Sequence, residues 1–132
     1  MPQPDVIYST PADQVSTDVY TDLLWRTPDG VNLAAIIRNL HKGDGNLLLR
    51  NTGANGVNRQ ILGANRLDAP IAEWVVIQGI TPVTAGANLS TVFSWLNATS
   101  LPYAFLRVQI RAQTLGFQGA IRGDFRIAQP RR

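Results

Sequence analysis

The residues able to do chemistry are few. The 132-residue chain has one histidine, His41, and no cysteine. Without thiols there is no disulfide framework, no thiolate zinc site, no iron–sulfur ligation and no cysteine nucleophile. A lone imidazole excludes any metal site that needs two, and a serine triad would depend on His41 alone. No Gly-x-Ser-x-Gly elbow accompanies it. His41 lies in the turn-like run His41-Lys42-Gly43-Asp44-Gly45, where an exposed turn residue is the simpler reading. Glycoside hydrolysis needs two carboxylates flanking a bond. Glu73 is the only glutamate and adjoins Trp74 in an apolar run, while loop and hairpin positions explain its candidate partners Asp68 and Asp124. Gly43-Asp44-Gly45 offers a single carboxylate where calcium takes several oxygens. No catalytic residue, metal or cofactor is expected.

Aromatic residues are the other candidates. Trp74 and Trp95 fall in strong strand patterns and are expected in the core, since each buries a large apolar area. Trp25, beside a turn, and Tyr103, after Pro102, are the candidate ligand aromatics. With them comes the alternative function, a carbohydrate- or receptor-binding β module.

The net charge of +3 hides a gradient. Residues 1–30 carry five aspartates against Arg26, a net of −4. Residues 101–132 carry six arginines against Asp124, a net of +5. Eleven of the twelve cations are arginine. A nucleic-acid partner is disfavoured, because lysine is nearly absent and the acidic start would repel phosphate. An acidic start that meets the basic end, within one chain or between subunits, suits arginine's planar fork. On that reading Arg107, Arg111, Arg122 and Arg126 form a partner-binding basic hairpin. No apolar run approaches the length of a membrane span. The first residues lack the basic and apolar regions of a secretion signal.

These residues must be positioned by strands. Residues 1–17 read as an extended arm, with Pro2, Pro4 and Pro11 disfavouring helix. Its Val6, Ile7 and Tyr8, with Asp5 and Asp13, are expected to dock on a neighbour, so that residues 18–132 fold without it. Val19–Trp25 reads as a strand, followed by the turn Thr27-Pro28-Asp29-Gly30. Val31–Leu40 is ambiguous between helix and strand, and a strand buried on both faces is favoured, closing a hairpin onto Asn46–Arg50. Further strands follow, a short one around Arg59–Leu62 and two more over Ile71–Ile80 and Leu89–Leu96. Over Tyr103–Thr114 the even positions Ala104, Leu106, Val108, Ile110 and Ala112 are small or apolar and the odd positions Arg107, Gln109, Arg111 and Gln113 are polar, as in a half-buried antiparallel strand. After Gly116 the parity changes, so that Phe117, Ile121, Phe125 and Ile127 share the apolar face. Gly53, Gly63 and Gly86 each open a Gly-Ala-Asn triplet, explained by turns. This is an all-β chain, an antiparallel β-sandwich or jelly roll, with a closed barrel as the alternative.

A proline-spaced acidic arm, Met1–Thr17, before a small cysteine-free β domain rich in Asn, Gly, Thr and Ala resembles the structural proteins of tailed-bacteriophage virions. The likeness is greatest to capsid decoration, or cement, proteins. The resemblance implies a non-enzymatic homotrimer on the capsid surface that binds the major capsid protein or neighbouring virion subunits through its arm and stabilises the assembled shell.

Overall fold

The alternation over 105–112 builds the middle of one sheet and that over 120–127 the middle of another. The computed structural model describes residues 6–38, 45–83, 90–95 and 103–127. They form β1 (Val6–Ser9), β2 (Gln14–Val15), β3 (Thr21–Asp22), β4 (Trp25–Arg26), β5 (Leu33–Ala34) and β6 (Ile36–Arg38). The longer strands are β7 (Gly45–Asn51), β8 (Val57–Ala64), β9 (Val75–Val83), β10 (Ser90–Trp95), β11 (Phe105–Ala112) and β12 (Ala120–Ile127). The larger sheet runs β10-β7-β12-β1-β4-β5, with β2 also on β12. The smaller runs β3-β11-β8-β9, with β6 also on β11. All pairings between these strands are antiparallel. The chain is an all-β sandwich, as its patterning predicts.

The inward faces make one core. Leu47, Leu49, Ile121 and Phe125 of the larger sheet are fully buried with Val57, Ile61, Leu106 and Val108 of the smaller. Each such side chain contributes roughly 1.5–3 kcal/mol by leaving water. Trp25 meets Phe125 edge to face, centroids 6.1 Å apart at 87°. Arg59 lies at the same inward parity as Val57 and Ile61 and is 2% exposed. Burial pulls its pKa down, although an arginine keeps its proton in such surroundings.

The expected strand Val19–Trp25 is divided between the sheets. Residues 21–22 lie on β11, and Leu23 donates its N–H to Val108 O (2.9 Å) before the chain crosses to the larger sheet as β4. The predicted turn follows, closed by Gly30 N–H to Thr27 O at 2.8 Å. β5 returns along β4, and β6 rejoins β11 beside Phe105–Arg107. Val31–Leu40 is therefore a strand broken at Ala35 across its described part, not one buried on both faces. Nor does it form a hairpin with 46–50: β6 and β7 belong to different sheets. The excursion of residues 23–35 places Trp25 in the core and ties the two sheets along one side.

The arm is also redrawn. From Val6 on, it is part of the sandwich: β1 pairs residue for residue with β12 from Val6↔Ile127 to Ser9↔Asp124. Tyr8 is buried in this chain's own core, and its hydroxyl accepts the Arg38 N–H at 3.2 Å across the sandwich. Ile7 is about half exposed on the outer face. The physical reason is edge cover: without β1, the ladder groups of β12 on that side would lack partners. Asp5, His41 and the 41–44 connection lie outside the described residues, as do Gly86-Ala87-Asn88 and the side chain of Trp95.

One end of the sandwich is closed by a buried amide. Asn51 Nδ2 donates to Asn55 O (2.8 Å) and to Val83 O (3.0 Å). Its Oδ1 accepts from Gly53 N (2.9 Å) and Ala120 N (3.3 Å). Gly119 packs so closely there that a Cβ would stand 2.3 Å from Asn55 O, which leaves only glycine. Asn51→Ala would strand one buried and three part-buried backbone groups, so a loss of about 3 kcal/mol is expected. It is read as a lower denaturant midpoint at unchanged slope. Deleting residues 1–17 removes β1 and β2, and loss of the cooperative thermal transition is expected. A truncated chain that melts near the full-length temperature would make that segment an appendage.

Candidate functional site

β11 and β12 do not form a hairpin. They lie in different sheets, joined by an arch over residues 113–119. Their inward faces oppose each other, so their polar faces point away from each other. Arg107 and Arg111 lie on the outside of the smaller sheet, Arg122 and Arg126 on the outside of the larger. The expected single basic patch is two patches on opposite faces. The change of parity near Gly116 is the sequence signal of this arch.

On the smaller sheet the arginines are held. Arg107 stacks 4.5 Å from the Trp74 ring centroid, and its Nε lies 3.5 Å from Asp22 Oδ2. Asp22 Oδ1 accepts from Gln109 Nε2 (3.0 Å), and Gln109 Oε1 from Gln60 Nε2 (2.8 Å). Arg111 stacks 4.9 Å from the Tyr20 ring centroid. Trp74 is buried as expected, but in a satellite cluster with Leu62 and Ala64 rather than in the main core. Its Nε1 donates to Ala69 O at 3.0 Å. It follows the 3-10 turn Ile71–Glu73 and precedes β9, so the expected strand Ile71–Ile80 starts later, at Val75.

On the larger sheet Asp13 pairs with Arg122 at 3.7 Å, both about half exposed. Such a pair contributes at most ~1 kcal/mol. Arg50 stands directly across from Arg122, and Arg126 across from Asn46. Thr10, Arg50, Arg122, Gly123 and Asp124 line a cleft of about 290 Å³. With Asp22–Arg107 and Asp13–Arg122, the acidic start meets the basic end within one chain.

Of the candidate ligand aromatics, Trp25 is fully buried and cannot present a face to a ligand. Its place beside a turn suggests exposure, but the crossing from one sheet to the other carries it through the core. Tyr103 is partly buried and lines a second cleft, of about 240 Å³, with Gly63–Arg66, Ala69, Glu73 and Val75. Among the described residues, no three His, Cys, Asp or Glu side chains gather as metal ligands. No helix among them is long and apolar enough to cross a membrane.

The most exposed apolar residues include a group on the arch and the segment beside it. Leu115 is 64% exposed and Phe117 58%, with Val15 at 66% and Val19 at 67%. The parity of the sequence places Phe117 on the core face, but it belongs to the turn. Phe117 N–H donates to Thr114 O (3.0 Å), and Gly116 has φ +86°, the positive value that a type II turn needs at its third residue. Asp18 fixes this turn: Oδ1 accepts from Gly116 N (2.8 Å) and Gln118 Nε2 (2.6 Å). Ser16 binds Gln118 Oε1 and receives Gly119 N–H, and β2 pairs Val15 with Ala120. The apolar crest is thus held by a polar frame. Composition gives no sign of it, because Val15, Asp18 and Leu115 are brought together only by the fold.

The Gly116 amide and then Gln118 hold the Asp18 carboxyl below its ordinary pKa of 3.8. A depressed folded value stabilises the fold above the unfolded pKa, and the effect is lost as pH falls through the folded one. The Gly116 amide-proton shift is therefore expected to titrate with a midpoint below 3.8, and Asp18→Asn to abolish that titration. A midpoint at or above the ordinary value would contradict the assignment.

Comparison with known protein families finds none that matches this chain, and comparison with curated proteins finds no matching sequence.

Proposed function

We propose that this protein is a non-enzymatic structural subunit that decorates an assembled virion shell and stabilises it. The observation that carries the proposal is the crest of Val15, Val19, Leu115 and Phe117, four large apolar side chains each more than half exposed, two on the arch and two on the segment that braces it. A rigid apolar surface of this kind loses little freedom on docking, so its burial is available for affinity. The crest takes over the role that the sequence assigns to the arm, whose described part is folded into the sandwich. The arginine pairs face opposite ways, which favours a protein partner over a phosphate backbone.

Stabilisation follows from linkage. A subunit that binds the assembled shell and not its dissociated parts raises shell stability by mass action. The homotrimer implied by the resemblance needs a second, different surface on each copy, because rings close through heterologous contacts. The β4–β5 edge supplies one, with Leu24, Val31 and Leu33 exposed.

Co-sedimentation with cognate assembled shells tests this reading. Wild-type protein is expected to pellet with shells as a trimer. Phe117→Ser with Leu115→Ser is expected to weaken binding at least ~10-fold at unchanged melting temperature, as central apolar anchors do. A stable monomer that stays in the supernatant at every concentration would overturn it.

A further inference from the structure

The cleft beside Tyr103 has no part in docking by the arch. It is lined by Gly63 and Ala64 at the end of β8, by Ala69 and Val75, and by Tyr103, which also packs on the main core. Gly63 lets the ring sit there: a Cβ would stand 2.7 Å from Tyr103 Cδ2. Asn65, Arg66 and Glu73 supply the polar part of the lining. Arg66 Nε pairs with Asp68 Oδ1 at 3.2 Å, and Asn65 Oδ1 accepts the Ala104 N–H at 3.4 Å.

We infer that this cleft binds a neutral saccharide ring. A sugar presents an apolar C–H face and a rim of hydroxyls that both donate and accept. The cleft presents the same division: an aromatic and aliphatic lining, with an acceptor carboxylate, an amide and a donor guanidinium beside it. Glu73 and Arg66 carry opposite charges. Glu73 therefore disfavours an anionic ligand, while the charge of Arg66 is offset by Asp68. At about 240 Å³ the cleft is just below the usual range for ligand pockets, and it suits one ring rather than a chain.

The test is an amide chemical-shift titration of the full chain with the methyl glycosides of glucose, galactose, mannose and N-acetylglucosamine. Saturable shifts are expected at Gly63, Ala64, Asn65 and Arg66. They are also expected at the Trp74 indole N–H, whose acceptor Ala69 lines the cleft. Glu73→Gln, at an exposed position, is expected to weaken binding about tenfold, the effect of losing one charged hydrogen bond. Tyr103→Leu keeps the bulk, removes the aromatic face and is expected to abolish binding at a melting temperature that confirms folding. Absence of saturable shifts with all four glycosides overturns the inference, and so do shifts that both variants leave unchanged. Tighter binding of glucose 6-phosphate than of glucose would overturn the assignment of a neutral ligand.

Discussion

The Asn51 side chain is the joint on which the two sheets depend. It ends β7 in the larger sheet, reaches Val83 at the end of β9 in the smaller, and holds the start of β12 through Ala120. Both amide protons and both acceptor positions are occupied, so its burial carries no unsatisfied group. A hydrophobic residue there would fill the space and leave the surrounding backbone unpaired. Gly119, pressed against Asn55 O, then starts the chain into β12. Because this end is fixed, the arch between β11 and β12 leaves the sandwich at a defined place, and Asp18 and Ser16 can brace it.

The charge gradient acts inside the molecule. Asp13, Asp18 and Asp22 each engage the last third of the chain, through Arg122, Gly116 with Gln118, and Gln109 with Arg107. Ordinary solvation of the first thirty residues would leave a loose acidic tail. These contacts instead clamp that segment over both sheets and the arch. The same economy explains the two arginine faces: β11 and β12 share one core, so their polar residues are turned apart.

Much of the fold is legible in the sequence, because its signals are local. The alternation through β11 predicts its inward and outward faces correctly, and Thr27-Pro28-Asp29-Gly30 predicts its turn through proline and glycine chemistry. Local pattern does not specify which sheet a strand joins. Val19–Trp25 and Val31–Leu40 carry β composition throughout, yet each changes sheet part-way, at Leu23 and near Ala35. Proline spacing describes residues 6–17 as extended, as they are in β1 and β2 on either side of a bend at residues 11–12, but not what they pair with. Arg59 shares the parity of Val57 and Ile61, and that parity was a sign of burial that its charge obscured. Of the candidate site residues, Tyr8 and Trp25 prove to be core, and Tyr103 keeps a place on a cleft. The crest on the arch is formed by segments about a hundred residues apart in sequence, which is why no motif marks it.

A docking role for the arch makes a statement about place. Hydrogen–deuterium exchange of the protein, free and bound to assembled shells, reads it residue by residue. Slower exchange on binding is predicted at 15–19 and 114–119, with the outer faces of both sheets unchanged. Protection centred on either arginine face, with the arch exchanging as in the free protein, would contradict it.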